Sequence, residues 1–264
     1  MIEFGEFENH PSHPGHKLKM VNIERPFKCD GCLELGFGSC YTCTDSSTSC
    51  NFHLHKDCAR AWTEVPTISH PFFPKLQFHF LAEGRPNRYC DACGRDVKGY
   101  AYHCGVTGFD LHPCCANLPR VLSCRDTNVS EDGEEVRLVL KKKVTSKCCN
   151  CGKKKLCISG KKKNINTWCY VSENQEVNFH VSCVKEMVCE SWQDGNNLQI
   201  ERRDVNACPK LQIKLYKGSK SRGSGSKFGM LKKVLKLALT FAIAAVIGDP
   251  TAMVVALVTS LITH

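Results

Sequence analysis

Apolar positions in the first two thirds of the chain come in short runs broken by Gly, Pro and Lys, and no long stripe of helical period runs through them. Gly36–Tyr41 (GFGSCY) and Lys98–His103 (KGYAYH) each read as a Gly-led, aromatic-rich strand that delivers a Cys near its end. Two later segments, NFHLHKDCA and GFDLHPCCA, alternate in the same way. The spacing by two puts Phe52 with Leu54, and Phe109 with Leu111, on one strand face as a small core. Ala-rich text after the last Cys of each (CARAW, CANLP) predicts a short closing helix. The two stretches superimpose without gaps, since eleven residues separate Cys32 from Cys43 and Cys93 from Cys104. A looser third copy follows, in which Trp168 and Tyr170 take the positions of Tyr100 and Tyr102. Repetition with a period near sixty predicts an array of three small α+β modules over 10–70, 71–125 and 137–190.

The C-terminal pattern differs. Lys217–Lys227 (KGSKSRGSGSK) reads as a flexible linker. Residues 229–263 then form a mainly apolar tract, flanked by Lys232, Lys233 and Lys236, with Gly248, Asp249 and Pro250 placed to end one helix and start the next. Each helix alone is too short for a bilayer core of about 30 Å. A kinked span, an interfacial hairpin and a buried helical pair all remain open; the expectation is an apolar helical hairpin that associates with a membrane or another chain.

Composition supplies the chemistry. The chain of 264 residues holds 20 Cys and 11 His. Three times a Cys-x2-Cys is followed by a His-x2-Cys: Cys29/Cys32 with His55/Cys58, Cys90/Cys93 with His112/Cys115, and Cys148/Cys151 with His180/Cys183. Three thiolates and an imidazole are a ligand set for tetrahedral structural zinc, which leaves no open position for a catalytic water. Disulfides have no use for the interleaved His. The N-terminal text shows no basic stretch leading into an apolar core, so an intracellular protein of cytoplasm or nucleus is expected. Modules of about sixty residues bury little core, and zinc offsets that shortage.

The pattern His16, Cys29-x2-Cys32, Cys43, Cys50, His55-x2-Cys58 resembles the phorbol-ester/diacylglycerol-type zinc domain. The text around Cys90–Pro119 is more closely similar to the divergent, cysteine/histidine-rich plant version known as divergent C-one. The resemblance implies two cross-braced sites per module. In the first module it assigns His16, Cys43, Cys50 and His70 to the second site. In the second module only Cys104 matches clearly, with His79 and Cys124 as further candidates, so that site is degenerate. About four zinc ions per chain follow. The resemblance also implies a non-enzymatic role in plant stress or defence signalling through protein partners. The loops LELGFGS and GRDVKGYAY lack an apolar tip, so diacylglycerol is not the expected ligand.

Two other classes compete. A CxxC is also the motif of thiol–disulfide oxidoreductases and redox sensors. Charge raises the second: residues 1–136 carry 13 Lys/Arg against 18 Asp/Glu, whereas residues 137–236 carry 23 against 7. The runs Lys141–Lys143, Lys153–Lys155 and Lys161–Lys163 surround the third knuckle, as solvated loops or as a patch for nucleic acid or an anionic membrane. Trp168 and Tyr170 would then either stack on bases or form the core strand.

Overall fold

The computed structural model describes residues 6–45, 50–125, 135–157, 164–173, 175 and 177–186. The linker over 217–227 and the apolar stretch over 229–263 lie outside them. One compact unit ends at Leu118 and a second begins at Pro119.

The first unit holds two sheets. Strands β1 (Leu18–Lys28), β2 (Leu35–Cys43) and β3 (His53–His55) form an antiparallel sheet in that order, and helix α1 (Lys56–Thr63) follows. The β1–β2 register slips between Ile23 and Phe27, around Pro26, which has no N–H to give to the ladder. Leu18, Tyr41, Leu54 and Ala59 make the core together with the buried thiols. Phe52 is only partly buried, so Leu54 carries the core on that strand.

Strands β4 (Thr67–His70), β5 (Phe73–Leu81), β6 (Ala101–Cys104) and β7 (Phe109–Leu111) make the second sheet in sequential order, followed by α2 (Pro113–Ala116). Pro113 starts α2, where a missing N–H costs nothing. The two sheets belong to one unit and are packed together. Trp62 of α1 lies against Phe80 and Tyr100, with ring centroids 5.7 and 5.6 Å away. The Tyr102 hydroxyl donates to the Val65 carbonyl at 2.6 Å, and the Tyr100 N–H to the Gly31 carbonyl at 3.0 Å. A Cβ at Gly99 would run into that Gly31 carbonyl, so the approach of the two backbones requires glycine there.

In the second unit β8 (Val121–Arg125), β9 (Glu135–Lys141), β12 (Cys169–Ser172) and β13 (Asn178–His180) form a sheet of order β13-β12-β9-β8. Between β9 and β12 lies a short ribbon of β10 (Leu156–Cys157) and β11 (Asn164–Ile165), and residues 181–186 are helical. Trp168, Tyr170 and Phe179 are buried with Leu138, Leu140 and Val184. The aromatic pair is therefore core, and its faces are closed to nucleic-acid bases. Strand β8 pairs with β9, so residues 121–125, grouped with the second module from sequence, belong to this sheet. No helix among the described residues is long and apolar enough to cross a membrane.

Candidate metal centres

Each Cys-x2-Cys forms the same turn. The N–H of the first Cys donates to the carbonyl five residues on: Cys29 to Glu34 at 3.0 Å, Cys90 to Arg95 at 2.8 Å, Cys148 to Lys153 at 2.9 Å. The residue after the second Cys donates back to the first and adopts a left-handed backbone: Leu33 (φ 61°), Gly94 (φ 77°) and Gly152 (φ 68°). Each His-x2-Cys supplies the other half. The His ends a strand (His55, His180) or directly follows one (His112), and the Cys lies on the first turn of the helix that follows, so both point to one side.

These halves meet in three tetrads: Cys29, Cys32, His55 and Cys58; Cys90, Cys93, His112 and Cys115; Cys148, Cys151, His180 and Cys183. Within each, the ligand atoms lie within 4.8 Å of one another. His55 Nδ1 stands 3.3 Å from Cys32 Sγ and 3.7 Å from Cys58 Sγ. His112 Nδ1 stands 3.5 and 4.0 Å from Cys93 and Cys115. His180 Nδ1 stands 3.4 and 3.7 Å from Cys151 and Cys183. Tetrahedral coordination at ordinary Zn–S and Zn–N lengths requires S···N separations of about 3.6 Å.

A second shell orients the rings. The Nε2–H of His55 donates to the Leu35 carbonyl and that of His112 to the Asp96 carbonyl, both at 3.2 Å, which leaves Nδ1 free to ligate. Gly36 makes room for the first of these rings, since a Cβ there would collide with His55 and Phe27. His180 Nε2 is buried with no hydrogen-bond partner among the described residues. The N–H groups of His55 and His112 donate to Cys29 and Cys90 Sγ, both at 3.4 Å.

The protonation balance tests whether the donors suit a metal. Burial pushes the Cys32 and Cys58 thiols well up. Burial also works against Cys29, but hydrogen bonds with Cys32 and Cys58 and the charge of His55 bring it well below the usual thiol range. The hydrogen bond with Cys183 pulls Cys148 down to about 3, against burial, and the same bond drives Cys183 up. Three thiolates cannot all ionise in one buried cluster without a cation among them. A soft divalent ion supplies that charge, so the donor set fits zinc.

A fourth tetrad lies nearer the surface: His13, His16, Cys43 and Cys50, all half-buried. Cys43 Sγ is 3.6 Å from His16 Nδ1, and Cys50 Sγ is 3.3 Å from His13 Nε2. His13 stacks on Phe52 at 4.3 Å, and His16 Nε2 faces Asp45 at 3.4 Å. This set interleaves with the first along the chain, giving the cross-braced arrangement. His13 takes the place that the sequence reading gave to His70. The reason is topological: His70 ends β4, which pairs with β5 in the second sheet, and its Nδ1 accepts the Phe72 N–H at 3.0 Å. A signal for His13 was present, since His13-x2-His16 has the same three-residue step as each CxxC.

The second module forms no second tetrad among its described residues. Cys104 ends β6 in the position of Cys43, next to Thr107, whose hydrogen bonds lower its thiol despite the opposing effect of burial. His79 pairs with His103 across β5 and β6, and its ring lies 3.2 Å from the Thr67 hydroxyl. Cys124 lies on β8, in the second unit. Of the remaining thiols, Cys40 is fully buried and its pKa is pushed up to about 12, mainly by burial, as for a small core residue.

Sequence reading missed a second cluster. Asp110 on β7 is fully buried and accepts from Arg88 Nε at 2.6 Å, with His103 Nδ1 at 2.8 Å. Arg88 also donates to the Gly108 carbonyl. The cluster ties the loop before Cys90 to the sheet. That loop is zipped to the one after Cys93: the Arg85 N–H donates to the Val97 carbonyl and the Val97 N–H to the Arg88 carbonyl, both at 3.0 Å.

Two segments of the chain, residues 11–59 and 69–116, match the C1 domain family. Each matched segment is built around one of the buried tetrads, and the first of them holds the surface tetrad as well. No curated protein and no solved structure matches the chain.

Proposed function

We propose that the protein is a non-enzymatic, zinc-stabilised binding protein carrying four zinc ions per chain, one in each tetrad, with residues 137–186 as a third, degenerate copy of the domain. The observation that carries this is the convergence of donors to separations that tetrahedral zinc requires, in four places. The ion would supply charge compensation and cross-linking, while the chain's own groups orient it: the Leu35 and Asp96 carbonyls hold the imidazoles and backbone N–H groups support the sulfurs. Each CxxC shares its cluster with a HxxC, which supports binding over thiol–disulfide exchange. The loops around Val97 bond to each other through the Arg85 and Val97 N–H groups, which supports a ligand other than diacylglycerol. An intracellular location rests on the interleaving of Cys with His, which suits metal and not disulfides, while protein partners and a part in plant stress or defence signalling rest on the family resemblance.

Native mass spectrometry of gently purified full-length protein tests the metal reading: four zinc per chain are expected, and a compact, metal-free chain overturns it. Insulin reduction by the zinc-loaded protein tests the absence of catalysis. Turnover that Cys90→Ser abolishes would make the protein an oxidoreductase.

A further inference from the structure

The third tetrad stands in an environment unlike the others. From Arg137 to Ser172 the sequence holds eleven Lys or Arg and no Asp or Glu. An ordinary solvated face interleaves both signs, because self-repulsion of like charges destabilises the compact state. The fold concentrates the charge further. Strand β9 ends at Lys141, which pairs with Cys169, and Cys169 pairs with the ligand His180. Lys142 and Lys143 therefore leave the sheet at the tetrad end. The knuckle itself folds back through the Cys148 N–H to Lys153 carbonyl bond at 2.9 Å, so its two stems run side by side. One stem brings Lys147 and the other Lys153, Lys154 and Lys155. All six of these lysines are exposed. Arg137, at the other end of β9, meets Glu173 at 3.3 Å.

We infer that this lysine-rich end of the second unit binds the phosphate backbone of nucleic acid without reading its sequence. Lysines act as point charges for phosphate, and neutralising phosphates with release of their counterions is sufficient for non-specific binding. The aromatic residues that could have stacked on bases are absent from the surface, because Trp168 and Tyr170 are buried and the Tyr170 hydroxyl donates to the Pro119 carbonyl at 2.8 Å. An anionic membrane is the competing partner. Stable attachment there needs an apolar insertion besides the charge; the described part of this module has no exposed large apolar side chain beyond Val121, so such an insertion would have to come from the apolar stretch over 229–263.

The test is fluorescence anisotropy of full-length protein against a labelled duplex of about 20 base pairs and a single strand of the same mixed sequence, across a salt series. Binding to both is expected, with affinity falling by about a thousandfold or more between roughly 50 and 200 mM salt. Replacing Lys142, Lys143, Lys147, Lys153, Lys154 and Lys155 by Gln should flatten the logarithmic salt slope by about 5, from roughly 0.9 per lost phosphate contact. The corresponding six-fold Lys→Arg variant should keep the slope. Zinc content, measured on each variant, separates loss of contact from loss of fold. The inference is overturned by absence of duplex binding at roughly 50 mM salt, or by an unchanged slope in a zinc-loaded Gln variant. It is equally overturned if the protein sediments with phosphatidylserine vesicles and ignores the duplex.

Discussion

At Leu33 the first knuckle holds a branched side chain in a left-handed backbone conformation, where its counterparts are Gly94 and Gly152. That conformation costs an L-residue about 1–2 kcal/mol, offset in part by the greater chain entropy that glycine loses on folding. Leu33→Gly should therefore leave stability unchanged or raise it by up to about 1 kcal/mol, while Gly94→Leu should lower it by a similar amount, read by urea unfolding at fixed free zinc. His10 offers a pH prediction. It is fully buried, with Nε2 at 3.0 Å from the Ala59 carbonyl, and burial depresses its pKa. A depressed imidazole favours the folded state fully above its unfolded value of about 6.5 and loses that contribution as pH falls through the lower folded value. Amide protection over residues 6–12, measured relative to the intrinsic exchange rate, should fall as pH drops below about 6.5, and His10→Gln should remove that dependence. Nothing in the local sequence marks His10 as the buried member of the His-rich start. What selects it is the packing of Phe7 and Trp62 on its ring, at 5.3 and 6.2 Å.

Strands and helices follow the text closely where zinc ligands set their spacing. A strand that runs up to the His and a helix that begins before the Cys recur after each knuckle because a His-x2-Cys must present both donors on one side. Boundaries between modules were less legible. Strand β4 begins at Thr67, within the segment that sequence reading gave to the first module, and pairs across a turn with β5. That pairing is a long-range choice between edges, and it takes His70 away from the first module's ligands. Gly99 sits where the two modules touch. Gly99→Ala forces a methyl group against the Gly31 carbonyl and should cost about 1–3 kcal/mol of stability. The expected signature is weakened cooperativity between the two domains in thermal unfolding, with zinc stoichiometry retained.

At the scale of the molecule, the proposed zinc ions would act as cross-links between strands and helices that are far apart in the chain. A structural zinc contributes roughly 10–16 kcal/mol of apparent free energy in small fingers. Chelation should therefore remove the β-rich circular dichroism signal of residues 6–186, and readdition of zinc should restore it. A signal unchanged after full removal of metal would show that packing alone holds the sheets. Fifteen of the sixteen donors foreseen from sequence come together in the four tetrads, because CxxC and HxxC are local steps whose geometry the backbone turn fixes by itself. The choice of His13 over His70, the packing of two domains into one unit and the burial of Trp168 and Tyr170 came only with the tertiary structure. Each depends on which edges and faces meet across distant parts of the chain, and spacing along a sequence does not decide that.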